Sequence, residues 1–409
     1  MIKTFSSIKI LIAITVLLFP LIVYGKKTVH ISKYARRGSD VTNVLQKLVN
    51  ENTKVIIDKG TWYISSTVYI PSGTTIEGRS KKKSILKASE TALSNSNGQF
   101  RMLVTSNKGV GKTLGITVSN LTFDLNRHPA ELRTLNKSVS ECGVNALYIE
   151  GGIHVVLRDC IFIDYCIYDN SGKNYSIMPV VFAVNASECT ISGCSTENCT
   201  FLYVNNCLNV TISENIGKNS FGTWIETEGG RGHKILNNVF NDVWCQVSTI
   251  GINSTGCVVF GNSISNETKK EISCLTLGHD DRHSDCYLST KADSCYVHDN
   301  ILRTSNNLGI LVQSGSHLRI EDNQIEISPS GATSYHSGIG IAGDETNFHH
   351  ARIKGNIIRS INGKGNGIIG INMYDSEIEN NTLIGGFDNR VSIRGNKHGT
   401  RIVNNTNSK

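Results

Sequence analysis

After residue 25 this 409-residue chain contains no run of 18 apolar residues, and so nothing that reads as a membrane-spanning helix. Its 12 cysteines include no Cys-x-x-Cys pair, which removes the usual zinc spacings. No glycine-rich loop stands between a strand-like and a helix-like segment, as a phosphate or dinucleotide site requires, and no nucleophile elbow stands out. Lys and Arg form no stripe with interleaved aromatics, which excludes the common nucleic-acid readers. The formal charge is +7, or about +5 without Lys3 and Lys9. That mild, dispersed balance suits an anionic partner such as a uronic-acid polysaccharide.

The one long apolar run, Ile10 to Val23, follows Lys3 and Lys9 and precedes Val23-Tyr24-Gly25. Residues 1–25 therefore read as a signal peptide, with a retained anchor as the alternative. This predicts a secreted, periplasmic or cell-surface protein. Export permits disulfides, but Cys160 and Cys194 occupy one repeat position while Cys189, Cys257 and Cys295 share another. Stacked interior side chains explain that repetition better than a disulfide framework.

A short phrase recurs ten times: an aliphatic residue, two more residues, then Asn or Cys, as in HLRIEDNQI (317–325), HARIKGNII (350–358) and DSEIENNTL (375–383). The Asn slot holds Cys160, Cys194, Asn215, Asn238, Asn262, Asn300, Asn323, Asn356, Asn381 and Asn405, at steps of 21 to 38 residues and most often near 23. A fixed period with loop-sized excursions predicts a solenoid. Each repeat divides into three short strands, and no Asn-Gly or Asp-Gly turn occurs at the joints, so the strands are read as parallel coils rather than hairpins. Asn suits the left-handed bend between strands, and stacked Asn side chains can hydrogen-bond from coil to coil. Residues 26–60 are expected to hold a capping helix at 40–49, started by Asp40, with Val41, Val44, Leu45, Leu48 and Val49 on one face. The solenoid of about 10–12 coils then fills 61–409, with long loops near 161–180, 278–293 and 325–350. No obvious cap follows the phrase IVNNTNSK (402–409), which leaves a coil open to self-association.

The segment GSDVTNVLQKLVNENTKVIIDKGTWYISSTVYIPSGTTIEG (38–78), followed by these coils, resembles the right-handed parallel β-helix superfamily of pectate lyases and polygalacturonases. The resemblance implies an all-β, single-stranded parallel β-helix. Polygalacturonases carry NTD, DD, GHG and RIK motifs on consecutive coils. Here Asp280-Asp281, His336-Ser337-Gly338 and Arg352-Ile353-Lys354 follow in that order, the NTD motif is missing, and the last belongs to the repeat phrase itself. Only the carboxylate pair Asp280–Asp281 is carried over.

The long loops flank the first strand of each coil, which marks that face as the groove. The loop after Gly278 holds His279, Asp280, Asp281, Arg282, His283 and Lys291, although a solvated polar loop would have the same composition. Tyr148, Tyr203 and Trp224 are read at one outward position, as a track on which sugars stack, against the alternative that aromatics simply suit strands. Glu226 is read one position further along, beside Glu150, Asn185, Asn205 and Asn253, with Glu228, Arg231 and His336 as further substrate contacts. Glu226 and Asp281 fall two coils apart, roughly 9–10 Å at ordinary strand spacing, near the range for an inverting glycosidase. This favours hydrolysis of an acidic polysaccharide. Elimination or C5-epimerisation on the same scaffold is the competitor, with Lys291, Arg282, His279 or His283 as base and calcium as its only implied cofactor. A non-catalytic glycan-binding or adhesive solenoid is the third reading.

Overall fold

The computed structural model describes residues 26–106, 112–126, 142–165, 178–220, 222–241, 248–266, 273–278, 291–305, 308–329, 336–342 and 348–408. Residues 1–25, read above as a signal peptide, lie outside them. The three strands of each repeat stack into three long parallel sheets. Sheet 1 collects 12 first strands, such as Gly143–Glu150, Leu202–Asn205 and Ile225–Arg231. Sheet 2 collects 14 second strands, such as Arg319–Glu321, and sheet 3 collects 13 third strands, such as Gln324–Ile327. The strand count passes the expected 10–12 coils because the opening coils, beginning with Thr53–Ile57, Gly60–Ile64 and Val68–Ile70, carry no Asn slot.

Alternation explains the interior. Val55, Ile57, Trp62, Ile64, Val68 and Ile70 have no exposed surface, and the pattern continues coil by coil to Leu383. Each such aliphatic side chain contributes roughly 1.5–3 kcal/mol of transfer free energy. The cysteines follow the same logic. Cys160, Cys189, Cys194, Cys207, Cys257 and Cys295 are free thiols, buried like Cys142, Cys199 and Cys274. Burial pushes the Cys189 thiol to about 11 and that of Cys207 to about 12, so both stay protonated.

The Asn ladder forms, with one correction. From Asn215 to Asn381 each side-chain amide donates to the Oδ1 of the next, at 2.9 Å in every step. That same Oδ1 also accepts the backbone N–H of the preceding rung. The left-handed bend, however, belongs to the residue before the slot: Asn237, Asp299, Asp322, Asn380 and Asn404, or Gly261 and Gly355. The slot residue keeps an ordinary φ so that its side chain can turn inward. Cys194 ends the ladder by donating its N–H to Asn215 Oδ1.

Helix α1 (Thr42–Leu48) is shorter than expected. Val41 is its N-cap, and Asp40 instead accepts the Thr42 N–H at 2.9 Å. Val41, Leu45 and Val49 are buried against the first coils. The Gln46 amide accepts the Tyr69 N–H at 2.9 Å and donates to the Tyr69 carbonyl at 3.1 Å, so a side chain stands in for the missing neighbour of the end strand of sheet 1.

Candidate active site

On the outer face of sheet 1 the strand register sets side chains in rows one strand spacing apart, about 4.8 Å. One row runs Tyr148, Phe182, Tyr203, Glu226, Gly251, Thr276. The three aromatic rings adjoin in sequence: Tyr148 stacks on Phe182 at 5.2 Å between centroids, and Phe182 meets Tyr203 tilted at 5.0 Å. The Arg101 guanidinium lies over the Tyr148 ring at 3.6 Å. At the other end of the row the rings give way to the Glu226 carboxylate. Beyond it Gly251 has no side chain, and a groove of about 240 Å³ opens, lined by Tyr203, Thr223, Glu226, Asn253, Thr276 and Gln313 among others. Two coils further the same face turns apolar around Leu311, Gly340 and Ile369.

This row corrects the sequence register at two places. Trp224 is not part of an exposed track: it has no exposed surface and packs between Phe201 and Phe240, with its indole N–H donating to Thr196 Oγ1 at 2.9 Å. Glu226 takes the place given to Trp224, beside Tyr203 rather than Asn205. Phe182 stands in the row between Tyr148 and Tyr203, where the sequence register puts its neighbour Ala183, which is buried. Tyr148 and Tyr203 stand where they were expected, half-buried and facing outward. Glu228 faces the same way two residues on from Glu226, between Asn205 and Asn253. Sequence reasoning missed Arg101 and Phe182 in the ring row, and Thr223, Thr276 and Gln313 in the groove lining.

The remaining candidates separate. Arg231 is exposed at the corner where its strand ends, outside the groove lining. His336 is 5 % exposed, and its carbonyl accepts the Asn366 N–H; it is buried where its strand begins and does not face the groove. Arg352-Ile353-Lys354 lies on sheet 2, where Arg352 and Lys354 bond Glu379 at 3.0 and 3.2 Å, far round the solenoid from Glu226. Lys291 is half-buried where the loop from Gly278 rejoins sheet 2. His279, Asp280, Asp281, Arg282 and His283 lie outside the described residues. Gly278, the last described residue before them, lines the groove. Among the described residues no group of three or more His, Cys, Asp or Glu side chains is placed to hold a metal ion, and no helix is long and apolar enough to cross a membrane.

No protein-family profile and no curated protein matches this sequence. Solved structures do match. A surface adhesin of Streptococcus pneumoniae, PfbA, superposes with a TM-score of 0.62 at 14 % identity, covering 89 % of this chain and 91 % of its own. The A-module of the mannuronan C-5 epimerase AlgE6 from Azotobacter vinelandii gives 0.60 at 11 %, covering 91 % and 99 %. The alginate lyase AlyF-OU02, in complex with G6, gives 0.58 at 14 %, covering 94 % and 84 %. The chain is a right-handed parallel β-helix. In this β-helix the groove of sheet 1 runs across the coils, parallel to the solenoid axis.

Proposed function

We propose that this β-helix cleaves an acidic polysaccharide laid along sheet 1, with Glu226 as its central acid–base group. One observation carries the reading: the row of adjoining rings, with the Arg101 cation at its far end, runs into a carboxylate at the mouth of a groove. Sugar rings stack their C–H faces on such aromatics, and Arg101 offsets uronate charge. In the hydrolytic reading Glu226 pairs with a second carboxylate from the segment that follows Gly278, for which the sequence offers Asp281. One carboxylic acid gives its proton to the leaving glycosidic oxygen. The other carboxylate takes a proton from the water that attacks the anomeric carbon from the opposite face.

Elimination or C5-epimerisation is the second reading, favoured by the likeness to an epimerase and a lyase and by the Arg101 cation at the far end of the ring row. There a base among Lys291, Arg282, His279 and His283 removes the C5 proton while cations neutralise the uronate carboxylate.

The test is a panel of pectin, alginate, glycosaminoglycans and neutral glycans, assayed for reducing ends and for ultraviolet absorbance of unsaturated products. Reducing ends alone, lost by about 10²–10⁴-fold in Glu226→Gln and Asp281→Asn, support the hydrolase. Both signals together make it a lyase. Binding without turnover on the whole panel moves the protein to the adhesive class, in line with its likeness to PfbA.

A further inference from the structure

The positive charge of this chain is concentrated at one end of the rod. Residues 26–87, which form the cap and the opening coils, hold 13 Lys and Arg against 4 Asp and Glu, a net of +9. Residues 88–409 hold 26 against 30, a net of −4. Register places much of the excess on a single corner. The strand Lys27–His30 pairs with Thr53–Ile57, which pairs with Thr75–Gly78, all in sheet 2. The chain leaves each of these strands round the same corner toward sheet 3. The first passage carries Lys33, Arg36 and Arg37, the second Lys59, the third Arg79 and Lys81 to Lys83. Backbone bonds tie the passages together: Gly38 N–H to the Thr61 carbonyl and Gly60 N–H to the Lys83 carbonyl.

Nearly all of this charge is uncompensated. The acid of the corner, Asp58, is buried and saturated by the Ser32 N–H and hydroxyl and by His30, with Arg79 at 3.6 Å. Among the described residues, Lys33, Arg36, Arg37, Lys59, Lys82 and Lys83 make no ion pair, and all six are exposed. Lys81 instead runs along the corner to the Gly193 carbonyl at 2.7 Å, which holds the turn in place. Cations that recur from one coil to the next, with only the buried, saturated Asp58 among them, attract a polymer that carries a charge on each unit.

We propose that this corner is a docking surface for an anionic polysaccharide, separate from the sheet 1 groove, that holds the capped end of the rod on its polymer. Sheets 2 and 3 meet here, so a strand bound at the corner leaves the groove open.

The experiment measures binding of fluorescein-labelled polygalacturonate by anisotropy across a salt series. It uses a Tyr203→Ala/Glu226→Gln background, which weakens the groove whatever its chemistry. Adding Lys59→Glu, Lys82→Glu and Lys83→Glu is expected to weaken binding at least tenfold at low salt and to flatten its salt dependence. The same number of reversals elsewhere, Lys364→Glu, Lys397→Glu and Arg394→Glu, should change it less than twofold. Unchanged melting transitions confirm that both sets fold. Equal losses in the two sets would overturn the proposal, as would no loss in the first. Adsorption of the parent protein to phosphatidylglycerol vesicles without binding to polygalacturonate would also overturn it. Because the groove is disabled throughout, failure here says nothing against the proposed function.

Discussion

Trp224 shows how one residue can carry structure where function was expected. Its indole fills space left open by Gly217 on the neighbouring strand of sheet 3, where an added Cβ would stand 2.3 Å from the ring. Trp224→Ala should therefore cost about 3–5 kcal/mol in denaturant unfolding. Tyr203→Ala, on the outer face, should leave stability nearly unchanged and weaken glycan binding. The reverse pattern would return Trp224 to the groove. The sequence misplaced it because alternation separates inside from outside only where the outside is polar. In VVFAVN (180–185) both faces are apolar, so Phe182 and Ala183 could not be told apart. In GTWIETE (222–228) the ring turns inward at the corner where its strand begins, and only the distant Gly217 and Thr196 reveal the space that receives it. Glu226 was legible as a carboxylate in the groove, but its row depended on this same register.

At the scale of the element, the Asn ladder makes each coil a template for the next. Asn323 accepts the backbone and side-chain N–H of Asn300 and donates to Asn356 and to the Val297 carbonyl. Asn323→Ala strands several buried polar groups at about 1–3 kcal/mol each. The expected outcome is a loss of at least about 2 kcal/mol on denaturant titration, with hydrogen exchange accelerated first at Asn300. A loss confined to a few tenths would mean that the ladder is decorative. The ladder was readable because its geometry is local and repeated. The bend was misassigned by one position, since Asn, Asp and Gly all tolerate positive φ and crowd the same two residues.

For the whole molecule, acid should be the weak side. Burial pushes the His233 imidazole down to about 4, though the Gly229 backbone carbonyl, as acceptor for the ring, opposes this. The unfolded chain thus binds a proton that the folded one refuses, and stability falls as pH drops from about 6.5 toward 4, by about 3 kcal/mol in all. On sheet 2, burial raises the Glu321 carboxyl but the Arg319 guanidinium, with help from Tyr296 and Arg352, outweighs it and the net shift is down. The Arg352 and Lys354 side chains lower Glu379 likewise. Stability from these carboxylates is present above their unfolded values and drains away as pH falls through the folded ones. Melting temperature against pH should decline in two stages, and His233→Leu should flatten the upper one. A profile level down to pH 4 would contradict the assignment. The Gln46 clasp on the end strand has one more implication, for how the rod is assembled. The closed end is also the end synthesised first. Each later coil of about 23 residues has the coil before it as a surface to condense onto, so a chain folding as it is synthesised meets its template at every step.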